Sequence, residues 1–147
     1  MTVATLKIEG LDHLVRKLGE LKAQELLVPP MTWAVLRVER RMKTYPARKP
    51  GSRYVRGQGM PDADGVVRNF TSEKMNEKWT YKVERGNGKV TGTVGTNVSY
   101  APLVQSAMFQ ASMHKPLWRN TDQAVLNEEM GAILEQFRKV VAEALEK

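Results

Sequence analysis

Two histidines, a few neighbouring carboxylates, a set of glycines and scattered serines are the groups in this chain that could do chemistry, and their spacing assembles none of them into a site. His13 and His114 stand alone, with no second histidine at ligand spacing, whereas a metal centre needs three or four convergent ligands. Asp62 and Asp64 fall in a Pro/Gly-rich stretch, and Glu128 and Glu129 point to different sides of a helix, so both pairs read as solvated. Gly86, Gly88, Gly92 and Gly95 lie in and after a hairpin turn, without the helix N-terminus or Lys-Ser/Thr pair of a phosphate loop; turn and strand geometry accounts for them. Ser52, Ser72, Ser99, Ser106 and Ser112 lack a nucleophile-elbow context. The absence of cysteine removes thiol nucleophiles, thiolate metal sites and disulfides together. The expectation is a protein that is not an enzyme and has no cofactor or metal.

Charge is the stronger signal. The chain of 147 residues carries a formal charge of +7, with a pI near 9.8, which favours an acidic partner. Arg37, Arg40, Arg41, Lys43, Arg48, Lys49, Arg53 and Arg56 occur with only Glu39 as counter-charge, and Tyr45 and Tyr54 are interleaved. Such a patch could meet phosphates, or simply keep a loop solvated. From Asn120 onward the balance reverses, with six acidic residues against three basic ones. Head-to-tail packing of subunits would bring the two patterns together.

The elements that must position these groups follow from periodicity. Thr2 to Ile8 alternates as a short strand or extended arm. Leu11, Leu14, Val15, Leu18 and Leu21 form one face of a first helix, Pro29-Pro30 break the chain, and Pro30 opens a second helix to about Lys43 with Met31, Val35, Val38 and Met42 as its stripe. Residues 44–77 are too poor in periodic apolar side chains to be a packed element and read as a long basic loop. Lys78 to Val98 reads as an antiparallel hairpin turning at Asn87-Gly88. Asn120 or Thr121 then caps a C-terminal helix over 120–147, with Leu126, Met130, Ile133, Phe137, Val140 (with Val141), Ala144 and Leu145 as apolar positions.

Between hairpin and helix lies Asn97 to Trp118, NVSYAPLVQSAMFQASMHKPLW, neither a clean strand nor a clean helix yet dense in large apolar groups. A loop-like segment this sticky reads as an interface or a core plug. No apolar run approaches the ~20 residues that span a bilayer, and the N-terminus lacks a signal-peptide pattern, so no membrane partner is expected.

Read in order, LKIEGLDHLVRKL, RKPGSRYVR, WTYKVERGNGKVTGTVGTNVSYAPLVQ and FQASMHKPLW before a long helix resemble the neck or tail-completion proteins of long-tailed bacteriophages. The resemblance is collinear over most of the chain and most specific at Thr-Val-Gly-Thr-Asn-Val-Ser-Tyr-Ala-Pro. It implies a virion structural protein, made in the host bacterial cytoplasm, that forms a homo-oligomeric ring, hexamer or dodecamer, at the head-tail junction or top of the tail. Its implied partners are head-closure, tail-terminator and tail-tube proteins, with genomic DNA passing non-specifically through the channel. Two departures stand out: Gln105-Ser106-Ala107 replaces an acidic residue followed by Gly-Thr, and Gly57 to Glu77 intervenes before Trp79.

The resulting expectation is a single α+β domain over 1–147, in which a small, mostly antiparallel sheet packs against a long C-terminal helix, with N-terminal helices and a long basic loop. Tyr100, Leu103, Phe109, Met113 and Trp118 are the expected subunit-interface residues. Arg48, Lys49, Arg53 and Arg56 are expected to face the channel or an acidic neighbour. The rival expectation is a small basic nucleic-acid-binding module, which lacks a reading helix or aromatic platform.

Overall fold

A computed structural model describes residues 2–8, 15–16, 19–46, 50–51, 63–66, 75–86, 89–116 and 118–146. Strand β1 (Thr2–Ile8), helix α1 (Glu20–Met42), a 3-10 turn (Met75–Glu77), the hairpin β2 (Trp79–Gly86) and β3 (Lys89–Thr96), the short helix α2 (Ala101–Gln105) and helix α3 (Asp122–Leu145) follow in that order. The fold is α+β. The three strands form an antiparallel sheet in the order β1-β3-β2. Helix α1 lies across one face of that sheet, and α3 packs along α1 and against β1.

Register explains which face is covered. Ala4 pairs with Val94 and Leu6 with Gly92, while Val90, Gly92, Val94 and Thr96 of β3 are all buried. The alternate rows, such as Thr5, Thr93 and Lys82, point the other way and carry polar groups, as expected for a sheet with one face packed and one wet. On β2, one of the sheet's two edges, only Trp79 is buried. Gly86 pairs with Lys89, so the connection at Asn87-Gly88 has the two-residue length expected, although those two positions lie outside the described residues.

Gly92 has a different reason from the turn and strand geometry expected of it. A Cβ there would lie 2.4 Å from Val35 Cγ1 and 2.6 Å from Met31 Sδ. Its missing side chain is what lets α1 approach the middle of the central strand.

Helix α1 also corrects the expected break. Pro29 and Pro30 sit inside one continuous helix, and the interruption comes instead at Gly19, its N-cap, with φ +77°. Two prolines leave the carbonyls of Glu25 and Leu26 without the usual amide donors, a cost of roughly 3 kcal/mol for a proline in a helix interior. The offset is continuity of the buried stripe: Ala23, Leu27, Met31, Ala34, Val35, Val38 and Met42 are all buried and keep one helical phase through the prolines. Leu27 and Met31, on either side, contribute about 1.5–3 kcal/mol each. Of the expected first helix, Val15 packs on the core, while Leu11, Leu14 and Leu18 lie outside the described residues.

Helix α3 begins where expected, with the Thr121 hydroxyl accepting from Ala124 N at 3.3 Å. Of the expected apolar positions, Ile133 and Phe137 are buried and Leu126, Val141 and Leu145 pack partly buried on the core, but the stripe also takes in two residues not expected there. Val125, Glu129, Ile133 and Phe137 face the core, whereas Met130 is exposed. The stripe contains a carboxylate because two arginines meet it: Glu129 pairs with Arg37 and, at 3.4 Å, with Arg41, while Glu128 pairs with Arg41. Arg37 also lies over the Trp33 ring at 5.2 Å. Glu128 and Glu129, expected to be solvated, are therefore ion-paired, and at Arg37 and Arg41 the basic and acidic patterns meet within one chain.

Candidate assembly surface

The segment after β3 is fastened by side-chain amides rather than by regular structure. At the end of α1 several carbonyls have no intrahelical donor. Gln105, fully buried, donates from Nε2 to Met42 O at 2.9 Å and to Asn120 O at 3.2 Å. Asn120 Nδ2 donates to Arg41 O and Thr44 O, each at 3.3 Å. These bonds place the start of α3 beside the end of α1, so the two helices run antiparallel. A carboxylate at position 105 could donate to neither carbonyl. Gln105→Glu should therefore lower stability by about 1–3 kcal/mol, measured as a drop in the denaturant midpoint at unchanged slope.

Two further groups stitch the loop itself. Gln110 Nε2 donates to Val104 O at 2.8 Å and Trp118 O at 2.6 Å. The Asp122 carboxylate accepts from Ala107 N at 2.8 Å, and Ala111 N donates to Leu103 O at 2.8 Å.

Beneath this frame is a second small core of Met75, Val98, Ala101 and Val104, with Tyr45, Tyr100 and Trp118 packed against it. Tyr45 and Trp118 meet edge to face, with centroids 5.1 Å apart. Of the five expected interface residues, Tyr100 and Trp118 thus do much of their packing inside the chain. Leu103, Phe109 and Met113 do not: they are 53%, 62% and 74% exposed, and Met108 joins them at 81%. The frame holds four large apolar side chains out to solvent, and Met108 is the one the expected set omitted. Its position inside the same apolar segment was the available signal.

Among the described residues no three His, Cys, Asp or Glu side chains gather as metal ligands, and no helix is long and apolar enough to cross a membrane. Arg48, Lys49, Arg53 and Arg56 lie outside the described residues, as do His13 and Asp62. No protein-family model, curated protein or solved structure matches the chain. The site must therefore be read from its own physical chemistry. Exposed Met and Phe side chains clustered on a loop with fixed ends are the composition of an interface centre.

Proposed function

We propose that this chain is a structural virion protein that assembles into a ring at the head-tail junction or top of the tail of a long-tailed bacteriophage, around the channel through which genomic DNA passes. The observation that carries the reading is the hydrogen-bonded loop that presents Leu103, Met108, Phe109 and Met113 to solvent. The collinear resemblance to neck and tail-completion proteins supports the same reading, and the α+β fold agrees with it. In the ring the basic residues of segment 44–77 face DNA or an acidic neighbour.

A chain carrying Phe109→Ser and Met113→Ser separates assembly from folding. Both side chains are exposed, so the thermal midpoint should barely move, since surface changes stay within about ±0.5 kcal/mol. Self-association measured by sedimentation should weaken at least about tenfold, as expected for loss of an aromatic anchor. Imaging of particles should show a ring of this protein at the neck. A monomer at every concentration, together with salt-dependent binding of DNA by that monomer, would sink the assembly reading in favour of a nucleic-acid-binding module.

A further inference from the structure

Strand β2 has an open edge. Gly86 and Lys89 flank a two-residue turn, which makes them a hydrogen-bonded pair, and antiparallel alternation then turns the amides and carbonyls of Thr80, Lys82, Glu84 and Gly86 toward β3. Those of Tyr81, Val83 and Arg85 point the other way and have no partner among the described residues. Proteins ordinarily blunt such an edge with a proline, a bulge or a cover. Residues 79–86 contain no proline and pair with β3 residue for residue.

The charges on this edge say what can join it. Lys82 and Glu84 stand 70% and 57% exposed on the wet face and pair with each other at 2.6 Å. A second β2 laid antiparallel, Val83 against Val83, places Lys82 opposite Glu84 of the other copy and Glu84 opposite its Lys82. The four charges then alternate in sign around a square, so each keeps its present partner and gains another. On the opposite face the same register sets the exposed Tyr81 against the exposed Arg85 of the other copy. The backbone asks for this register too, because it joins the outward amides and carbonyls of Tyr81, Val83 and Arg85 to one another as bonded pairs. The remaining edge, β1, offers a single charged side chain, Lys7, and is contacted by α2 and α3. The helices do not collide. Each α1 lies over β3 at Gly92, and the two β3 strands would stand about 14 Å apart, beyond the roughly 8–10 Å at which helices pack.

We infer that free chains pair edge to edge through β2, about a two-fold axis at Val83, to make one continuous sheet. This contact is separate from the Phe109 loop and does not depend on the ring. A ring with one side toward the head and the other toward the tail contains no such axis, so the pair shields the edge of the free chain and opens where a ring forms.

Charge reversal tests the register directly. Lys82→Glu and Glu84→Lys alter exposed side chains, and each alone sets like charges opposite one another, so dimerisation measured by sedimentation should weaken roughly tenfold. An equimolar mixture of the two variants should dimerise about as tightly as the parent, because every facing pair is again of opposite sign. Exchange of the Tyr81, Val83 and Arg85 amides should slow as the parent is concentrated. Dimerisation unchanged by either reversal, a mixture no tighter than its components, or exchange independent of concentration would each overturn the pairing. The Phe109→Ser/Met113→Ser chain should lose higher assembly yet keep the β2 dimer. Its complete collapse to monomer would overturn the pairing and leave the ring, whereas a retained dimer with no ring on particles would overturn the ring alone.

Discussion

An Arg37→Ala/Arg41→Ala chain should be less stable than the parent by about 3 kcal/mol, the lower end of the range for breaking a buried ion pair. Glu129 is the reason. Its side chain is 8% exposed and faces both guanidinium groups, each of which is more than 40% exposed. Removing the arginines leaves a desolvated carboxylate without its partners, although truncation admits some water and keeps the loss from the top of the range. At roughly 2–4 °C per kcal/mol for a chain of this size, the thermal midpoint should fall by about 6–12 °C. The converse change is informative. Glu129→Met leaves two arginines that already reach solvent, and should be within about 1 kcal/mol of neutral. Added to the double-arginine chain, it should restore most of the loss. Failure of that rescue in calorimetry would mean that the arginines act through packing, for instance Arg37 over Trp33, rather than through the carboxylate.

Gly92→Val should have an effect at least as large by a different route. The added Cβ alone falls inside the van der Waals radii of Val35 and Met31, both fully buried on α1. Overpacking a well-filled core costs about 1–3 kcal/mol for modest insertions, and a β-branched side chain at the closest helix-sheet approach belongs at the upper end or beyond. The helix must lift from β3 or the strand must bend. Gly92→Ala should show a smaller loss, and Val35→Ala in that background should return part of it, with a coupling of about 0.5–3 kcal/mol in a double-mutant cycle. Additive losses would show that the clash is not with Val35.

These contacts also explain what the sequence could and could not disclose. The hairpin was legible because alternation flanks a two-residue turn, and the C-terminal helix because a capping threonine precedes a long apolar period. The break in the N-terminal half was misplaced because local rules weigh a Pro-Pro pair above a glycine. The buried stripe from Ala23 to Met42 holds the helix together through those prolines. The core face of α3 was legible at Ile133 and Phe137 but incomplete for a related reason: hydropathy skips Glu129, whose burial is tolerable only with Arg37 and Arg41 supplied from elsewhere in the chain. At the candidate surface, composition marked the segment as dense in large apolar groups. It could not divide Trp118, which packs on Tyr45, from Phe109, which stands largely exposed. That division depends on which carbonyls Gln105 and Gln110 reach, a tertiary matter.

Tyr45 gives the long segment that follows it a common root. Its ring meets Trp118, and its hydroxyl accepts from Asn76 N at 3.2 Å, so the two ends of the intervening segment are held together. The residues between are tethered at both ends to a structure that does not depend on their number. For a flexible closed loop each doubling of length costs only about 0.6 kcal/mol. This basic segment could therefore be shortened, extended or exchanged at small cost to the rest of the chain, which makes it a convenient site for inserting a tag or probe.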